Sequence, residues 1–182
     1  MKIIFLGTNG WYDTDTGSTV SILVDTRSSY ILLDAGFGFY KIGRYIKESK
    51  PIYLFLSHLH LDHIIGLHTL PLFAHLKRID IYVPDEDMGQ FLRIFLDSPF
   101  TTPFSLISEK VHIYDMSEVM PSGIEITIER LQHSVACYGF RFNIEGKTIA
   151  YCTDTGPCDG LKALAQGADL LITECAFKPG ET

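Results

Sequence analysis

The chain has no Cys-x-x-Cys pair and no dense cysteine framework; Cys137, Cys152, Cys158 and Cys175 are scattered. That excludes a disulfide scaffold and reads as reduced, mostly buried thiols. No apolar run approaches the ~20 residues needed to span a bilayer. The opening Met1-Lys2-Ile3-Ile4-Phe5-Leu6-Gly7 lacks a secretory apolar region and a small-residue cleavage site, and reads as a first strand. A cytoplasmic location with no membrane partner is the default expectation. Basic residues are the minority, 15 Lys and Arg against 22 Asp and Glu, a formal charge of −7. This argues against a broadly basic nucleic-acid surface, although bound cations would offset part of it locally. Internal repeats and low-complexity linkers are absent, so residues 1–182 are expected to form a single α/β domain.

What is present is enough for a sizeable core: 182 residues, 46% of them hydrophobic. Strands are predicted at Lys2 to Gly7, Thr19 to Asp25, Tyr30 to Asp34, Ile52 to Leu56, Ile79 to Val83, Val111 to Tyr114, Ile124 to Leu131, Tyr138 to Ile144, Thr148 to Cys152 and Asp169 to Thr173. Two hairpins are expected, across Thr26 to Ser29 and across Glu145-Gly146. Helices are expected over Tyr40 to Ser49, Ile64 to Leu76 with an interruption near Pro71, Met88 to Leu96 capped by Asp85, and Leu161 to Gln166. Hairpins mixed with inserted helices point to an α/β sandwich rather than a purely parallel sheet.

The most informative stretch is His58-Leu59-His60-Leu61-Asp62-His63, directly after the apolar run Ile52 to Leu56. Four of its six side chains can bind a metal, and they stand where a buried strand ends. His58 and His60 alternate by two, so on extended chain both rings face one side. Asp62 and His63 fall where the chain turns into a helix and can face a second position; paired ions in hydrolases sit roughly 3.5–4 Å apart. His133, at a strand end, and Asp154, in a Thr/Gly-rich turn past another strand, stand where further ligands could converge. Taken alone, a strand-end aspartate is more often a turn former. His68, His75 and His112 read as ordinary hydrogen-bonded histidines. Arg141 could help an anion, though an outward-pointing sheet arginine is the commoner case.

Here the residues resemble a family. His58-Leu59-His60-Leu61-Asp62-His63 matches the H-x-H-x-D-H motif of the metallo-β-lactamase superfamily. The likeness extends to Phe5-Leu6-Gly7-Thr8, Leu33-Asp34-Ala35-Gly36, His133-Ser134-Val135 with Tyr138-Gly139-Phe140-Arg141, and Thr153-Asp154-Thr155. The combination looks most like the ribonuclease Z-like and cyclic phosphodiesterase branch. That resemblance implies a four-layer αββα sandwich, the metallo-β-lactamase fold. It also implies two divalent metal ions, zinc with manganese or iron as alternatives. His58, His60 and His133 would hold one ion, Asp62 and His63 the other, and Asp154 would bridge. Asp62 would also act catalytically by orienting or deprotonating the attacking water. Glu174 matches a position that orients a catalytic histidine, and Asp34 one that supports the ligand loop.

Two departures are informative. The family pattern places another histidine beyond the Glu174 segment, yet no histidine follows His133. The chain is therefore expected to lack the C-terminal part of the fold; otherwise the second ion is short of a ligand. No long Gly/Pro-rich insertion of the kind used to grip tRNA is present. The expected function is a metal-dependent phosphodiesterase-type hydrolase acting on an RNA 3′ end or a small cyclic phosphodiester. The alternatives are a lactone or thioester hydrolase and a non-catalytic metal-binding module. A homodimer would cover an apolar edge left by missing strands.

Overall fold

The computed structural model describes residues 1–175 apart from Ala74 and Lys77. These residues divide into two compact units, Met1–Pro121 and the part of Ser122–Thr182 that is described. The expected terminal loop from Phe177 to Thr182 lies outside the described residues.

The first unit is built on a sheet of strands β1 (Lys2–Gly7), β2 (Ser21–Asp25), β3 (Tyr30–Leu33), β4 (Ile52–Phe55), β5 (Ile79–Val83) and β6 (Val111–Asp115), side by side in chain order. β1, β2 and β3 pair antiparallel, and β3 through β6 pair parallel. Parallel strands need both faces covered, and their sequences show it. All four residues of β3 are buried, and Leu54 and Phe55 of β4 are fully enclosed. The β2–β3 hairpin closes at Thr26, whose hydroxyl accepts from the Ser29 amide at 2.9 Å and donates to the Ser29 carbonyl at 2.8 Å.

Helix α1 (Leu61–Ile64) runs on into a 3-10 segment over Ile65–Phe73 that contains Pro71. The helical character expected from residue 64 is present, but in the tighter form and starting three residues earlier. The segment expected as a helix over Tyr40 to Ser49 is instead a 3-10 turn over Phe37–Arg44. Its start is drawn forward because the Phe37 amide donates to the Thr19 hydroxyl at 2.7 Å and the Gly38 amide to the Thr19 carbonyl at 3.1 Å. Phe39, which the helical spacing omitted, is fully buried beside Ile42. Helix α2 (Glu86–Phe95) begins at Asp85, whose carboxylate accepts from the Met88 amide at 2.9 Å.

The second unit carries strands β7 (Glu125–Arg130), β8 (Tyr138–Ile144), β9 (Lys147–Cys152) and β10 (Leu170–Thr173) in spatial order β10-β9-β8-β7. Glu145 and Gly146 both take positive φ, 53° and 74°, as a two-residue hairpin turn requires. Helix α3 (Asp159–Ala165) makes the crossover from β9 to the parallel β10. Its Leu164 packs on Leu131, Cys137, Ala150 and Cys152. Burial pushes the Cys152 thiol up to about 12, so it stays protonated and inert. Cys137 and Cys152 are buried as expected, Cys158 is half-buried and Cys175 exposed. Arg141 donates to the carbonyls of Leu164 at 2.6 Å and Gln166 at 2.8 Å. It therefore caps the last turn of α3, and its guanidinium is occupied there rather than offered to an anion.

Candidate metal centre

The ligand loop of the first unit starts where β4 ends. Ser57 and His58 are fully buried, and His60 enters α1 as its N-terminal flanking residue in extended conformation. Asp62 and His63 are both inside α1, one helical step apart and buried. The expectation that they sit where the chain turns into a helix holds.

Three imidazoles crowd together. The ring centroids of His58 and His60 are 4.7 Å apart, and those of His58 and His63 are 4.1 Å apart. Ligating atoms of His58 and His60 lie within 4.8 Å of one another, as do those of Asp62 and His63. The His63 Nε2 to Asp62 Oδ2 separation is 3.6 Å. That is long for a hydrogen bond but close to the edge of a tetrahedron drawn with bonds of about 2.0–2.1 Å, roughly 3.3 Å.

Asp34 organises this cluster from below. It ends β3 with a left-handed backbone, φ 54°, which an aspartate tolerates better than a bulky or branched residue. Its side chain is fully buried. One oxygen accepts from the Ser57 amide at 2.7 Å, the other from the Ser57 hydroxyl and His63 Nδ1, both at 2.7 Å. A carboxylate on Nδ1 keeps that nitrogen protonated, which gives Nε2 the lone pair a metal requires. Ser57 passes the same order on to His58, its hydroxyl standing 3.0 Å from His58 Nδ1.

Backbone contacts hold the turn after Asp34 against the ligand helix. The Ala35 amide donates to the His63 carbonyl at 2.7 Å and the Gly66 amide to the Ala35 carbonyl at 2.8 Å. A Cβ on Gly36 would lie 2.2 Å from the Asp62 carbonyl oxygen, and one on Gly66 would lie 2.2 Å from the Gly36 carbonyl oxygen. Only glycine permits this approach.

The second unit holds the other two expected ligands. His133 lies between β7 and β8, and Asp154 follows β9 with φ 54°, the same left-handed backbone as Asp34. His133 Nε2 and Asp154 Oδ2 are 3.8 Å apart, with side chains 21% and 19% exposed. Their ligating atoms also fall within 4.8 Å of one another. Glu174 is exposed just past β10. His68, His75 and His112 each lie against an aromatic ring, Phe37, Phe73 and Tyr114 respectively, as ordinary histidines do.

Imidazoles with carboxylates suit zinc, manganese or iron, and the Asp34 brace is the support such ligands need. The donor set present fits a divalent metal.

Sequence reasoning missed two contributors. Ser57 stands directly before the histidine motif, and only its position there could have marked it. Trp11 donates its backbone amide to Asp62 Oδ2 at 2.8 Å across 51 positions of sequence. Its one advance signal was a large aromatic residue inside a Gly/Asn/Thr/Asp-rich loop.

Comparison with known proteins decides the family. The description "Beta-lactamase superfamily domain" matches residues 29–181. The chain belongs to the beta-lactamase superfamily. Ribonuclease Z of Nostoc sp. (strain PCC 7120) is 29% identical over 243 aligned positions, covering 97% of this chain and 72% of that protein. The probable metallo-hydrolase YhfI of Bacillus subtilis (strain 168) is 26% identical, covering 97% of this chain and 73% of the relative. The crystal structure of YhfI, a metallo-beta-lactamase fold protein from Bacillus subtilis, superposes with a TM-score of 0.76 at 24% identity over 98% of this chain and 73% of that one. The short form of human tRNase Z superposes at 0.62 with 21% identity, covering 94% and 76%. The metallo-β-lactamase fold expected from the motifs is therefore the fold observed. No helix among the described residues is long and apolar enough to cross a membrane.

Proposed function

We propose that the chain is a metal-dependent hydrolase of phosphodiester bonds, acting on an RNA 3′ end or a small cyclic phosphodiester. In this reading His58, His60 and His133 would supply ligands to one divalent ion and Asp62 and His63 to another, with Asp154 a further carboxylate ligand. Zinc is the first choice of metal, with manganese and iron using the same ligand types. The observation that carries the reading is the packing of buried His58 and His63 with half-buried His60 beside the Asp34 and Ser57 brace. Three such histidines serve a cation better than they serve a core.

Bound divalent ions supply Lewis acidity to phosphoryl oxygens and acidify water. The chain's own residues do the rest. Asp34 and Ser57 fix the tautomers and orientations of His63 and His58. Asp62, which accepts from the Trp11 amide, would orient or deprotonate the attacking water. Glu174 acts as a positioning carboxylate. The preference for phosphorus over carbonyl carbon draws support from the ribonuclease relatives, since Arg141 is engaged with α3.

Assays of the metal-loaded protein on bis-p-nitrophenyl phosphate and on a lactone test the reading. Wild type should cleave the diester and spare the lactone, and His60→Ala should lose diester cleavage and metal together. Lactone hydrolysis without diester cleavage, or wild-type diester cleavage by the variant, would overturn it.

A further inference from the structure

The loop joining β1 to β2 carries the chain's single tryptophan, Trp11, which is 85% exposed. An indole so exposed to water contributes little burial to the fold. Its backbone is also unusual, with φ 60°, a region that bulky side chains seldom enter. The Tyr12 amide reaches back to the Gly10 carbonyl at 2.7 Å, so Trp11 is the centre of a three-residue turn.

This loop is not slack. Asn9 donates its side-chain amide to the Thr14 hydroxyl and the Gly17 carbonyl, each at 3.1 Å. The Thr8 and Asn9 amides share the Ser18 carbonyl at 2.9 and 3.0 Å, and Asp13 accepts from the Thr19 amide at 2.6 Å. The same residue that presents the indole gives its amide to Asp62, a proposed ligand and water-orienting group. A hydrogen-bonded loop thus ties the backbone of the residue that carries an exposed indole directly to Asp62.

We infer that Trp11 is a specificity-determining residue: its indole stacks on the nucleobase adjoining the phosphate that is cleaved, making the preferred substrate a nucleotide rather than a base-free phosphodiester. This rests on the phosphodiesterase reading above. Any base offers a π face to an indole, so the preference is for nucleotides as a class. Ala at position 11 retains the backbone amide that Asp62 accepts, so the substitution removes the stack and leaves that hydrogen bond available.

A single tryptophan makes the test direct. The full chain, loaded with zinc or manganese, is titrated with adenosine 5′-monophosphate and separately with ribose 5-phosphate while indole emission is followed. Emission should fall saturably with the nucleotide and stay level with the sugar phosphate. By calorimetry, Trp11→Ala should shrink the preference for the nucleotide over the sugar phosphate by about ten- to a hundredfold, and Trp11→Phe should restore part of it. Equal titrations with the two ligands, no response to either, or an unchanged preference in Trp11→Ala would overturn the inference. A short oligoribonucleotide binding more tightly than the mononucleotide assigns the stacked base to a polymer end, and equal binding assigns it to a small nucleotide; either result supports the stack. Failure of the phosphodiesterase reading is distinguishable, because it shows as an emission change with no diester cleavage by wild type.

Discussion

Asp34 and Asp154 end strands in different units with the same left-handed backbone, φ 54° in both, yet their surroundings differ sharply. Asp34 is sealed in the first unit, with three hydrogen bonds of 2.7 Å running to the ligand loop. Asp154 is one-fifth exposed and stands 3.8 Å from His133, at ligand rather than hydrogen-bond spacing. One aspartate shapes a site, and the other is proposed to serve within one. An identical local conformation therefore does not mark a role; burial and the partners of the carboxylate do.

Substitution at the two positions should break that pairing. Asp34→Gly keeps the backbone conformation but strands the Ser57 amide, the Ser57 hydroxyl and His63 Nδ1 in the interior. It should cost about 3–5 kcal/mol in denaturant unfolding, or prevent folding. Asp154→Gly keeps the left-handed backbone and removes a carboxylate that is one-fifth exposed. The metal-free protein should then lose less than half of what Asp34→Gly loses, while its metal affinity falls. A large loss of stability in Asp154→Gly would place both aspartates in the structural role.

Milder changes sharpen the contrast. Asp34→Asn preserves shape but presents His63 with an amide of uncertain orientation, and should weaken metal binding about 10–100-fold by competition with a chelator. Gly36→Ala forces a Cβ to within 2.2 Å of the Asp62 carbonyl oxygen and should destabilise by about 1–3 kcal/mol, with metal affinity falling in step. Asp85→Ala removes the cap of α2 and leaves every proposed ligand in place in the sequence. It should cost about 1 kcal/mol on thermal or urea unfolding with no change in metal content.

Much of this was legible in the sequence, for local reasons. The histidine motif after an apolar strand, the Glu145-Gly146 turn and the Asp85 cap each depend on a few adjacent residues whose chemistry permits little else. The element edges that moved did so because of contacts far along the chain. Thr19, 18 positions away, drew the Phe37 turn forward. Arg141 illustrates the same limit: its strand was readable, but its engagement with the Leu164 and Gln166 carbonyls depends on where α3 packs. Trp11 meets Asp62 across 51 positions, and no local pattern encodes that bond.

The central proposal is that the six expected histidine and aspartate ligands serve a pair of ions. Metal content per chain, measured by elemental analysis after dialysis, tests it most directly. Two ions are predicted for the wild type, and fewer than two for a variant carrying both His133→Ala and Asp154→Ala. Two ions retained by that double variant would contradict the account.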